Sequence, residues 1–150
     1  MLEEIVTVAE NRRRISKQIK KWMPKLRRIY QGWDITYTIE AITGSKDQAQ
    51  IVYKDTERRA HITFDPYFLK PENVPETTAH EFAHILMRDY DLMVMNTIDD
   101  SIAPASSGLI KNLLIGELER VCDHIARTAV DLIKFGSQDG DNPSKKNPGQ

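Results

Sequence analysis

The run of this 150-residue chain with the most chemical potential is His80-Glu81-Phe82-Ala83-His84. Two histidines and a glutamate in an H-E-x-x-H pattern suit a metal ion and the water it activates. On a helix, residues four apart lie about 40° apart around the axis and one turn along it, so both imidazoles can converge on one ion. Glu81 sits on the adjoining flank, where its carboxylate can take a proton from water as general base and pass it to a leaving amine. Zinc is the ion such a set implies, one per chain: imidazole suits it, and a catalytic site needs three protein ligands and an open fourth position. With four His and ten Glu in the chain, the pattern arises by chance about once in 150 such sequences. The competing reading is a core helix with two ordinary histidines, which would bury three polar groups beside Phe82, Ile85 and Leu86 at a cost.

A third ligand has to come from elsewhere. Glu119 is the choice: around it lie Ile115, Gly116, Cys122 and Ala126, among which an unpaired carboxylate is hard to explain. Asp123, one turn on, is then an acceptor able to hold a ligating histidine in the right tautomer. Glu117 is the nearest rival for the ligand role, and His124 is a further alternative. His124 is also a candidate donor to a transition-state oxyanion, alongside Tyr67, Tyr90 and Arg127. Cys122 is open to two readings, a fourth ligand that closes the site or a buried structural thiol.

The elements that must position these groups follow from periodicity. Ile15, Ile19, Trp22, Met23, Leu26 and Ile29 trace one helical face, predicting a long basic N-terminal helix over 2–31, interrupted or kinked near Pro24 and ended by Gly32. Alternation at 35–41, 49–53 and 60–64 predicts three strands joined by short polar turns into an antiparallel meander. Pro71 to Pro75 precede a helix running to about Tyr90 that carries the motif. Residues 91–107, with Pro104 and Ser106-Ser107-Gly108, read as an irregular connection, in which Leu92 to Met95 form a lid or simply pack. A last helix spans about 109–135. The fold class is α+β, one domain over 1–135, with a disordered tail over 136–150. His61 is expected to be exposed.

In this arrangement the chain resembles small zincin metallopeptidases of the gluzincin type. Glu119-x-x-x-Asp123 resembles their downstream E-x-x-x-D. Ala60 to Pro66 followed by His80 to Leu86 resembles the strand-then-helix run of minimal phage and bacterial enzymes related to ImmA/IrrE and SprT-like proteins. The resemblance implies zinc on His80, His84 and Glu119, Glu81 as general base, Asp123 behind the ligands, and an extended peptide or protein substrate added to an edge strand at Ala60 to Phe64. The alternative is a zincin-fold regulatory or host-interaction protein with little turnover.

Charge separates the chain into two parts. Residues 1–30 hold nine basic and three acidic side chains, a net +6, leaving −7 on the remainder of a chain whose total is −1. The basic helix is expected to dock through Trp22, Met23 and Leu26 with its charges solvated, and nucleic-acid contact is the lesser reading. A single cysteine requires no oxidising compartment, no apolar run is long enough to span a bilayer, and the N-terminus lacks a signal peptide's order, so a cytoplasmic protein is expected.

Overall fold

Helix α1, Leu2–Ile29, forms along the apolar stripe and continues unbroken through Pro24, in a computed structural model that describes residues 2–29, 32–101 and 103–136. Pro24 is exposed, so the carbonyl that loses its partner one turn back lies on the solvent side, where water satisfies it. The predicted interruption is therefore absent. Gly32, at φ +98°, makes the turn toward the sheet in a conformation open to glycine. The predicted helical residues 30 and 31 lie outside the described set.

Strands β1 (Asp34–Ile39), β2 (Ala49–Lys54) and β3 (Arg59–Phe64) fall within a residue or two of their predicted positions. Their order is β1-β3-β2, with β1 parallel and β2 antiparallel to β3. The expected mainly antiparallel meander is corrected to a mixed sheet. Only β2 and β3 form a hairpin, with Ile51 opposite Ile62, through a short 3-10 turn at Asp55–Glu57. The stretch from 40 to 48 instead crosses the end of β3, tied there by Asp65. That side chain is only 1% exposed. Its two oxygens accept the backbone N–H groups of Ile42 and Tyr67, each at 2.7 Å, while its own N–H donates to Gln48. A buried carboxylate needs such partners, and here they hold β1 beyond β3. Ala60 to Phe64 is consequently the central strand, not the predicted edge strand, and the edges are β1 and β2.

Helix α2, Val74–Ser101, and helix α3, Pro104–Gly136, form a hairpin. The irregular connection predicted over 91–107 is overturned: α2 extends through Met95 to the buried Ile98, and Pro104 starts α3, where a missing N–H costs nothing. Ser106 and Ser107 donate their backbone N–H groups to Ala103 within the first turn of α3 rather than in a loop. Leu92 to Met95 are helical, not a lid. The predicted tail begins one residue too early, since Gly136 ends α3, and residues 137–150 lie outside the described set.

The architecture is thus α+β, three long helices and a three-stranded mixed sheet. Ile15, Ile19 and Leu26 of α1, Ile62 and Phe64 of β3, Phe82 of α2 and Val130 of α3 meet in one core. The sheet's other face is polar, and on it His61 is held between Thr36 at 2.8 Å and Thr38 at 3.1 Å. His61 is half-buried there, not fully exposed as expected. No helix among the described residues is long and apolar enough to cross a membrane.

Candidate metal centre

The H-E-x-x-H run lies in the third turn of α2, where that helix faces both β2 and α3. His80 and His84 are half-buried and present their Nε2 atoms to each other at 3.0 Å. From α3, Glu119 brings Oε2 to 3.2 Å from His80 Nε2 and Oε1 to 3.4 Å from His84 Nε2. These three side chains form a possible metal-holding group, one ligand atom from each lying within 4.8 Å of the others. Four bonds of 2.0–2.1 Å in a tetrahedron separate the donors by about 3.3 Å, which is the scale of the contacts here.

The other face of each imidazole is also engaged. Asp123 Oδ1 lies 2.9 Å from His80 Nδ1, and a carboxylate can only accept, so Nδ1 carries a proton and Nε2 is the nitrogen turned to Glu119 and His84. Cys122 Sγ lies 3.6 Å from His84 Nδ1. Burial, then Glu119 and Glu81, push that thiol up to about 12, so it is neutral and can accept the Nδ1 hydrogen. With both Nδ1 atoms engaged on their outer sides, the two Nε2 nitrogens and the two Glu119 oxygens face one another. Two imidazoles and a carboxylate are donor types that fit zinc.

Glu81 is 7% exposed, and its carboxylate makes no hydrogen bond among the described residues. Burial, reinforced by Glu119 and Asp47, pushes it up to about 8. Burial likewise lowers His84, against an opposing pull from Glu119. Beside Glu81 open two clefts. One, of about 400 Å³, is lined by Gln48, Thr77, His80, Glu81, Asp123 and Arg127 among others. The second, of about 680 Å³, also reaches His84 and Glu119 and has an apolar wall of Ile51, Met95, Ile115 and Leu118. Its floor is braced by Arg88, whose guanidinium stands 4.4 Å over the Tyr53 ring and pairs with Asp55 at 2.8 Å and Asp91 at 3.4 Å. Burial and the nearby Glu81 raise Tyr53 above the usual phenol range.

The structure therefore brings together His80, Glu81, His84, Glu119 and Asp123. It does not bring in Glu117, whose carboxylate pairs with Arg120 on an exposed face, nor His124, which is exposed and borders neither cleft. Of the four oxyanion-donor candidates only Arg127 borders a cleft at the site; Tyr67 and Tyr90 do not. Cys122 is no fourth ligand, because its sulfur meets the ring nitrogen that faces away from the shared centre. Arg88 and Asp91 went unrecognised at the level of sequence, and Met95, expected in a lid or in packing, lines the larger cleft from the helix. Their signal was present: 80, 84, 88, 91 and 95 continue one helical stripe. Compared with protein-family models, curated proteins and solved structures, the chain matches none.

Proposed function

We propose that this chain is a zincin-like zinc metallopeptidase acting in the cytoplasm on peptide or protein substrates. The observation that carries the reading is the convergence of His80, His84 and Glu119 beside a buried, unpaired Glu81. His80, His84 and Glu119 would hold the ion, with Asp123 and Cys122 fixing the imidazoles. Zinc bound there supplies Lewis acidity toward a carbonyl oxygen and makes water a nucleophile near neutral pH.

The chain's own groups do the rest. Glu81 takes the proton from the attacking water and delivers it to the departing amine. Arg127 stands at the cleft edge as the donor to the oxygen that gains charge. Substrate enters as an extended strand along β2, whose outer edge has no strand partner among the described residues and whose Ala49 borders both clefts. The apolar wall of the larger cleft then receives a side chain next to the scissile bond. A cytoplasmic setting agrees with a lone buried thiol.

The test is elemental analysis of protein purified without added metal, followed by incubation with a fluorogenic peptide mixture. About one zinc per chain is expected, lost in His84→Ala and Glu119→Ala and kept in Glu117→Ala, with peptide cleavage abolished by Glu81→Gln. No metal in the wild type after zinc is offered overturns the reading. Zinc without any hydrolysis favours instead a regulatory binding protein on the same scaffold.

A further inference from the structure

The acidic body carries a helix whose outer face is strongly cationic, broken only by Pro24 between Arg13 and Arg28. At 100° per residue, the buried positions Ile15, Ile19, Trp22, Met23 and Leu26 of α1 define one side. Arg13, Arg14, Lys17, Lys20, Lys21 and Arg28, all exposed, fall within a sector of about 120° on the opposite side. They extend over about 22 Å of helix axis, with no Asp or Glu from Asn11 to Arg28. Among the described residues Arg13 lies 4.0 Å from Glu10, and Arg14, Lys17, Lys20 and Lys21 make no ion pair. Of the helix's three remaining cations, Arg27 donates to the Ile35 carbonyl, Lys25 lies over the Trp22 ring, and Arg12 is exposed outside the sector.

Six cations held on a rigid, docked helix repel one another and retain counterions, a state relieved by a linear polyanion. Three observations narrow the choice. The apolar face of α1 is spent in the core, so the helix cannot lie in a bilayer by inserting that face. From Arg13 to Arg28 the outer face carries no aromatic ring and, Pro24 aside, no aliphatic anchor of the kind that gives protein interfaces their affinity. It also lacks the aromatic rings on which unpaired bases stack. A surface of this kind matches the regularly spaced phosphates of a double-stranded nucleic acid.

We infer that the outer face of α1 binds the phosphate backbone of duplex nucleic acid without reading its sequence. The inference is independent of the metal reading, since no residue of α1 lines either cleft at the metal centre.

The test is fluorescence anisotropy of the whole chain with a labelled 20-base-pair duplex of arbitrary sequence between 50 and 200 mM KCl. Parallel arms use duplex RNA, poly-glutamate and phosphatidylcholine vesicles containing phosphatidylserine. Four or five phosphate contacts predict a log–log salt slope of about −4, so the fourfold rise in salt weakens binding by about 250-fold. The triple variant Lys17→Gln, Lys20→Gln, Lys21→Gln changes exposed side chains only. It should make the slope shallower by about 3 while leaving zinc content and melting temperature unchanged. The DNA and RNA arms identify which duplex is preferred. Absence of duplex binding at 50 mM KCl, an unaltered slope in the variant, or equal binding to poly-glutamate or to the vesicles overturns the inference.

Discussion

Asp123 holds His80 by its Nδ1 atom at 2.9 Å, across two helices and 43 positions of sequence. The contact fixes the tautomer and the ring plane, leaving Nε2 directed at Glu119 and His84. Asp123→Ala should therefore weaken zinc binding by about 10–100-fold, measured by competition with a chromophoric chelator. Asp123→Asn keeps an acceptor oxygen and should lose less. Equal affinities in wild type and Asp123→Ala would remove the orienting role.

Cys122 gives a second, separable case. Its sulfur is the partner of His84 Nδ1 at 3.6 Å and is fully buried. Cys122→Ala leaves that N–H without an acceptor, and about a tenfold loss of zinc affinity is expected. Cys122→Ser restores an acceptor and should recover part of it. A purely packing role would give Ser no advantage over Ala.

Glu81 has a consequence for the metal-free protein that zinc would mask. Its carboxyl is pushed from 4.5 up to about 8 by burial, by Glu119 and by Asp47. Between those values the folded chain holds a proton that the unfolded chain has released. Stability from this group is thus fully present below about pH 4.5 and falls as pH rises toward 8. Thermal melts of metal-free protein should show this decline, and Glu81→Gln should flatten it and melt higher than wild type at pH 8. The same variant should keep zinc.

Metal removal should destabilise the fold as a whole, because the ligands join α2 to α3. Chelation is expected to lower the melting temperature, and zinc at 100 times its dissociation constant should return about 2.7 kcal/mol. Glu117→Ala should melt and re-zinc like wild type, since its carboxylate lies outside the centre.

Phe82 lies inside the metal motif yet is fully buried in the core with Ile62 and Phe64. Phe82→Ala should cost about 3–5 kcal/mol of stability, read from denaturant unfolding. At temperatures where the variant remains folded, its zinc stoichiometry should remain at one.

The motif helix, the strand positions and the choice of Glu119 over Glu117 were legible because each is a local pattern. Glu119, half exposed, shares a helical face with the buried Cys122 and Ala126 and reaches the histidines of α2, whereas Glu117 pairs with Arg120 one turn away. Sheet order was not legible: alternation tells which side chains share a face, not which strand lies beside which. The decisive group, Asp65, reads in sequence only as a breaker before Pro66. The length of α2 was obscured by Ser106-Ser107-Gly108, which suggest a loop but lie in α3, while acidic residues of α2 pair with cations. Arg58–Asp89 at 3.1 Å and Lys111–Asp99 are such pairs. Pro104 similarly looks like an interruption and is a helix start.

Both clefts are lined by residues 47 to 127 alone, whereas α1 and β1 lend only packing and hydrogen bonds to the body. The chemistry and the charged helix therefore occupy separate, consecutive stretches of chain, divided at the turn around Gly44. A lineage carrying such a layout can exchange its leading third for another helix and strand of matching apolar face. The cleft would keep its function while the address to which it is delivered changed.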